Sequence, residues 1–293
     1  MRILLGVDGS PSAELAASLV GNLPWPAGSV IDVVSAYRVA PDYLAMSGPM
    51  SLAAVGRLGV PGPVSDLEEP SVTEKAAAEA KRFVGKVARR LGDRGLTIES
   101  HVVCDRAPNA ILGRAREVDA DLIVLGSRGH GPFESALLGS VSAEVVDHSS
   151  RPVLVARRDR ADRILVGDDG SASAAMARAA LRRLTALHGG RVRILSVADI
   201  DPVWRVSPEG ATAEQILDPA DAYDSGMAAV REEHEGIAAR AAMRLRAEGL
   251  ETESAVVDGN PAQKLVEAAA EWGADLLVIG TRGRTGFRRL LLG

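Results

Sequence analysis

Apolar and polar positions along this chain follow strand and helix periods in turn, and the whole series runs twice. Ile3–Val7 is a short, continuously apolar run, as expected of a central strand buried on both faces. Ser10 can cap a helix with Pro11 at its first position, where a missing N–H costs nothing. That helix runs to about Leu23, where Pro24 stops it, and Val30–Ala36 is the second strand. Glu74–Leu91 carries apolar residues at helical spacing and ends at Gly92 to Gly95. Leu96–Val103 alternates as a third strand and Pro108–Val118 is the next helix. Leu122–Leu125 is a fourth buried strand, Leu137–Ser149 a helix and Val153–Ala156 a fifth strand.

The repetition is visible in the residues themselves. ILLGVDGS at 3–10 returns as ILVGDDGS at 164–171, placing Asp169 against Asp8. VVCDRAPNAIL at 102–112 returns as VVDGNPAQKLV at 256–266, and ADLIVLGSRGHG at 120–131 as ADLLVIGTRGRT at 274–285. Three blocks in the same order imply a duplicated domain, with halves at 1–158 and 159–293. Strand–helix–strand crossovers are right-handed, so each half reads as a doubly wound α/β unit, a parallel sheet with helices on both faces. The second half repeats the pattern through Leu276–Ile279 and ends at Gly293, without its last helix and fifth strand in this sequence. Long loops follow the second strand of each half, at about 37–70 and 199–225. The first is rich in proline and glycine, the second acidic. Loops of that length are functional lids or disordered.

Composition narrows the class. Aromatics are 3% of the chain, so its cores are built from Ala, Val, Leu and Ile, which suits parallel strands covered by helices. A net charge of −5 argues against nucleic acid as a partner, although Arg157, Arg158, Arg160 and Arg163 form a local basic cluster. Cys104 is the one cysteine, so no intrachain disulfide can form; it reads as an inert, partly buried thiol. The apolar run after Met1 is too short for a signal segment and no stretch reaches membrane-spanning length. A cytoplasmic protein with no membrane partner is the expectation.

The candidate chemistry lies where the fourth strand ends. Gly126-Ser-Arg-Gly129 is followed, after nine residues, by Gly139-Ser140. In doubly wound sheets ligands bind beyond the carboxyl ends of the strands. Glycines there let backbone N–H groups approach phosphate oxygens, and the helix opened by Gly139 and Ser140 offers N–H donors and a partial positive charge. Ser140 and Ser142 add hydroxyl donors. Asp8, at the carboxyl end of the first strand, is placed to accept from ribose hydroxyls or to orient a metal near phosphates. The alternative is that Asp8 and Ser10 only cap the first helix; the ligand role is favoured for Asp8 and capping for Ser10. Asp105 and Asp258 read as caps of the helices that follow them. Arg128 and Arg282, the second x of each loop, are either phosphate contacts or solvated surface arginines, and His130 reads as an exposed loop residue.

Together, VDGS, ADLIVLGSRG and the Gly-x-x-Gly-x9-Gly-Ser loop resemble the universal stress protein family, once per half. The resemblance implies a five-stranded sheet in the order 3-2-1-4-5 and, in the subclass carrying this loop, binding of ATP, with Mg2+ as companion. It places Asp8 near the adenosine and Ala36 in the adenine pocket. By the same resemblance Gly126, Gly129, Gly139 and Ser140, with Arg128, Val141 and Ser142 beside them, would hold ribose and phosphates. In the second half the matches are Asp169, Val197, Gly280, Arg282, Gly283 and Gly293. The Ser or Thr expected after Gly293 is absent from this sequence, so one competent site, in the first half, is the expectation. By analogy with family homodimers the halves are expected to pack as a pseudo-dimer, with a homodimer of chains as a further possibility. No P-loop, no His-x-x-His signature and no loop lysine is present, so fast phosphoryl transfer is not expected. The function that follows is a nucleotide-binding stress-response regulator; slow ATP hydrolysis and a ligand-free scaffold are the alternatives.

Overall fold

The N-terminal apolar run becomes β1 (Arg2–Gly6), whose Ile3, Leu4 and Leu5 are fully buried. It is flanked on both sides by parallel neighbours, β2 (Val30–Tyr37) and β4 (Leu122–Gly126). The computed structural model describes residues 1–38, 72–127, 138–183, 190–199 and 219–280. With β3 (Thr97–Cys104) and β5 (Val153–Ala156), the first half forms a five-stranded parallel sheet in the expected order β3-β2-β1-β4-β5. Alternate side chains of each strand leave on opposite faces. Ile3, Leu5 and Val7 pack with Ala16, Val20 and Val84, under α1 (Pro11–Asn22) and α2 (Val72–Gly92). Leu4 and Ile123 pack with Ile111, Ala115 and Val145, under α3 (Ala107–Glu117) and α4 (Ser140–His148).

The second half repeats this plan with β6 (Arg163–Gly167), α5 (Ala172–Arg183), β7 (Arg191–Ala198), α6 (Pro219–Ala247), β8 (Glu251–Asp258), α7 (Pro261–Trp272) and β9 (Leu276–Val278). Its described strands form a four-stranded parallel sheet, β8-β7-β6-β9, in the order of the first four strands of the other half. Two boundaries differ from the sequence reading by three residues or more. The helix expected over 137–149 begins at Ser140, because Gly139 is extended (φ −69°, ψ 157°) and acts as its cap; Leu137 lies outside the described residues. Helix α6 reaches back to Pro219, inside the segment read as loop, since proline fits a first helical turn and acidic residues suit its positive end. The rest of both long loops lies outside the described residues.

Each β1–β4 junction is pinned by a reciprocal backbone latch. The Asp121 carboxylate accepts the Arg2 N–H at 2.8 Å while the Asp121 N–H donates to the Arg2 carbonyl at 2.8 Å. Asp275 repeats this with Arg163, at 3.2 and 2.8 Å. In the second half the same carboxylate also accepts from Arg158 at 2.8 Å and Arg160 at 3.2 Å, so two arginines of the basic cluster are engaged by an aspartate. Its side chain is 3% exposed. Burial pushes this carboxyl up, but hydrogen bonds from Arg158 and the Arg163 N–H, with the charge of Arg160, outweigh that and hold it below the usual range. The joining segment is held from the other side too, where Asn22 donates to the Asp159 carbonyl at 2.8 Å.

The copies differ in where they bury charge. Asp32, opposite Leu4 in β2, is fully buried and takes Arg114 of α3 on both oxygens, at 3.3 and 3.0 Å. Burial alone would lower the Arg114 pKa; the hydrogen bond and charge of Asp32, helped by Glu117, reverse this and raise it. The corresponding residue of β7, opposite Leu165, is Arg193, which pairs with Glu253 at 2.7 Å and lies over the Trp272 ring. On the other face Asp168 replaces Val7, and its buried carboxylate pairs with Arg178, where the first half has Ala17. Burial first, then Arg244 nearby, pushes the Arg178 guanidinium down.

A buried ion pair is replaceable but not divisible. The double change Asp168→Val with Arg178→Ala, which restores the solution of the first half, is expected to be neutral or stabilising by about 1–4 kcal/mol, whereas Asp168→Val alone should cost about 3–5 kcal/mol. Urea unfolding of the three proteins checks this. For Asp275 the folded pKa is depressed, so its contribution is present above the ordinary carboxylate pKa of 3.8 and is lost as pH falls through the folded value. Asp275→Asn is therefore expected to lose about 1–3 kcal/mol at pH 7. The gap to wild type should close in unfolding curves taken below about pH 4.

Candidate functional site

The carboxyl ends of β1, β2 and β4 converge where the strand order reverses, the place at which doubly wound sheets take ligands. Asp8 stands exposed just past β1, in a tight turn: its Oδ1 accepts the Ser10 N–H at 3.0 Å and Gly9 takes φ +79°. Ser10 Oγ accepts the Ala13 N–H at 3.2 Å, closing the first turn of α1 as expected of a cap. The second half repeats both bonds, Ser171 N–H to Asp169 at 3.0 Å and Ala174 N–H to Ser171 at 3.1 Å. Asp8 and Asp169 thus hold their turns with one carboxylate oxygen.

Gly126 ends β4 against the start of α1. A Cβ added there would lie 2.5 Å from the Ser12 carbonyl carbon and 2.8 Å from the Ala13 nitrogen, and one on Gly280 would meet Ser173 and Ala174 in the same way. Both are backbone contacts, so this glycine is required by strand–helix packing before any ligand is considered. Sequence reasoning assigned it only to phosphate approach; its identity in both copies beside the VDGS-type turn was the available signal.

Opposite lies the start of α4. Its first intrahelical bond runs from the Ala143 N–H to the Gly139 carbonyl at 2.9 Å, so the amides of Ser140, Val141 and Ser142 precede the helical ladder. The Gly139 cap supplies no side-chain hydrogen bond. The Gly139 N–H donates to the Ser127 carbonyl at 2.7 Å and the Ser142 hydroxyl to the Gly126 carbonyl at 2.7 Å. Ser140 is exposed, Val141 half-buried and Ser142 buried. The Ser142 hydroxyl, read from the sequence as a donor, gives its proton to the strand-end carbonyl here. Ala36, half-buried, is the penultimate residue of β2, beside Val103, and Val197 holds the matching place in β7 beside Val257. Asp8, Ala36, Gly126, Gly139, Ser140 and Val141 thus belong to one end of the first sheet, and Asp169, Val197 and Gly280 to the same end of the second. Arg128, Gly129, His130, Arg282, Gly283 and Gly293 lie outside the described residues.

Three further expectations change. Cys104 is exposed, because β3 is an edge strand and the residue ends it. Asp105 does not cap α3: its Oδ1 accepts from the Arg106 N–H and Asn109 instead, and Arg106 holds the cap position. Asp258 pairs with Arg231, while Asn260 caps α7 by accepting the Gln263 N–H at 3.2 Å. A feature missed from sequence lies under the second site. The Ser196 hydroxyl donates to the Asp168 carbonyl at 2.6 Å and meets His234 Nδ1 at 2.8 Å, so His234 donates from Nδ1. Asp168 in place of Val7 was its trace in the repeat. Metal-ligating residue types also gather at Asp32, Glu99 and His101, with ligand atoms within 4.8 Å of one another. Guanidinium groups already serve this cluster, however. Arg114 donates to Asp32 and approaches His101 Nε2 at 2.6 Å, and Arg2 donates to Glu99 at 2.9 Å. The hydrogen bond from Arg2, against some burial, holds the Glu99 carboxyl low.

Comparison with known proteins agrees with this architecture. The family model described as "Universal stress protein family" matches residues 45–157 and again 160–293. A universal stress protein of Mycobacterium tuberculosis is 29% identical over 99% of this chain and 90% of its own length. A shorter universal stress protein of Thermus aquaticus is 36% identical over 53% of this chain and 97% of its own. Among solved structures, a universal stress protein from Archaeoglobus fulgidus superposes with a TM-score of 0.54 at 19% identity, over 94% of this chain and 85% of that one. One from Pseudomonas aeruginosa gives 0.52 at 16% identity, over 100% and 86%. These structural likenesses speak for the fold. No described helix is long and apolar enough to cross a membrane. With its two sheets, its repeated turns and two successive family matches, the chain belongs to the universal stress protein family.

Proposed function

We propose that this protein binds ATP, with Mg2+ as companion cation, at the carboxyl ends of the first half's strands, and acts as a nucleotide-responsive regulator in the cytoplasm. The observation that carries the reading is the start of α4. Its first amides stand outside the helical ladder, its cap is a side-chain-free glycine, and it is fastened to the end of β4 at the strand-order switch. Such a terminus offers donors and a partial positive charge to an anion. Asp8 supplies a carboxylate for ribose hydroxyls or for the cation, and Ala36 the apolar lining for a base. In the sequence, Gly129 and Arg128 add a small loop residue and a cation to the same segment. Asp169, Val197 and Gly280 offer a second set, with a buried Asp168 beneath it. An ATPase reading would have Asp8 orient a water. Fast phosphoryl transfer lacks its usual loop lysine.

Denaturing mass spectrometry of freshly purified protein is expected to release ATP, and titration calorimetry with ATP and Mg2+ to give saturable binding. Absence of both removes the proposal. Gly129→Ala is expected to weaken binding about tenfold, about 1.4 kcal/mol. A single-turnover assay showing rapid hydrolysis would favour the enzyme over the regulator.

A further inference from the structure

Among the described residues, two hydrogen bonds fasten the start of α4 to the end of β4, and both are donated from the helix side to carbonyls at the strand's end. One uses a backbone N–H, from Gly139 to Ser127; the other uses a side chain, from Ser142 to Gly126, at 2.7 Å. Ser142 is 4% exposed. A serine hydroxyl carries a single proton, and here it lies on the Gly126 carbonyl. What remains at Oγ is acceptor capacity, the wrong polarity for a phosphate oxygen.

The cap explains why such a bond is needed. Helices α1, α5 and α7 close their own first turns with Ser10, Ser171 and Asn260, each of which takes up an amide. The Gly139 cap of α4 has no side chain to take one up, so this helix lacks the anchor that a cap side chain provides. Ser142 supplies an anchor from within the first turn, and it attaches to the residue where an added Cβ would meet the backbone of Ser12 and Ala13. We propose that Ser142 is a positioning residue rather than a ligand: its side chain holds the first turn of α4 against the end of β4, so that the Ser140 and Val141 amides are set to receive phosphate. This rests on the nucleotide reading above and specifies how the phosphate half of that site is held.

The test compares two ligands that share adenosine and differ in phosphates. Calorimetric titrations with ATP plus Mg2+ and with adenosine are run on the wild-type chain, Ser142→Ala and Ser142→Thr. Ser142→Ala is expected to weaken ATP about tenfold or more and leave adenosine within about twofold, and Ser142→Thr, which keeps the hydroxyl, to restore ATP binding. Equal weakening of both ligands would mean only general loosening of the domain and overturns the inference. So does unchanged ATP affinity in Ser142→Ala, or a folded Ser142→Thr that fails to restore it. If Ser142→Ala does not fold, Ser142→Cys, of similar size and a weak donor, makes the same comparison. A wild-type chain that binds neither ligand removes the nucleotide reading and this inference together. A wild-type chain that binds ATP while the Ser142 variants match it removes this inference alone.

Discussion

The constraint on which both halves depend is the approach of the fourth strand's end to the start of the first helix, β4 to α1 in the first half. No side chain fits between them: a Cβ on Gly126 would press on the backbone of Ser12 and Ala13, and one on Gly280 on Ser173 and Ala174. Backbone cannot move aside as a flexible side chain can. That contact sets how near the first strand's turn, with Asp8 or Asp169, comes to the strand across the order switch. In the first half it also fixes the carbonyl to which Ser142 attaches. The turn, the strand end and the start of α4 are therefore parts of one rigid junction.

Around this junction the two copies keep the same frame and differ in their charges. The frame is carried by features independent of side-chain size: parallel registers, the Asp121 and Asp275 latches, and the positive-φ glycines at 9 and 170. The differences sit where each sheet meets its helices. The first half buries Asp32 under α3 and keeps Val7 and Ala17 apolar under α1; the second places Arg193 under α7 and buries Asp168 with Arg178 under α5. A helix exchanged between the halves would meet an unmatched or like charge. Arg114 packed on the second sheet would face Arg193, and Arg178 packed on the first would face Val7. Burying an unpaired charge costs several kcal/mol, so each helix is matched to its own sheet.

The linker too is fixed by a charge pairing. Arg158 and Arg160 lie in a basic run that in sequence looks like a patch for an anionic partner. In the fold they converge on Asp275, which also latches β6 to β9. The segment joining the halves is thereby tied to the second sheet at its strand junction. A small pocket opens beside it, lined by Leu19, Leu23, Leu154, Ala161 and Leu276.

The strand order was implied by a family resemblance; the sequence by itself determined the duplication, the α/β class and the succession of strands and helices. All of these follow from local signals: apolar runs of strand length, cap and turn residues at fixed offsets, and blocks that return in order. It also identified Ser10 as a cap and Gly139 with Ser140 as a helix start, because capping is a property of a few consecutive residues. What only the tertiary structure decided is what each polar group is paired with. Ser142 reads as a donor until the Gly126 carbonyl lies beside it, Asp258 reads as a cap until Arg231 reaches it from α6, and Asp168 reads as a variant turn residue until Arg178 and Ser196 surround it. Those partners stand far apart in the chain, and a hydrogen bond depends on separation in space, which residue order alone does not encode.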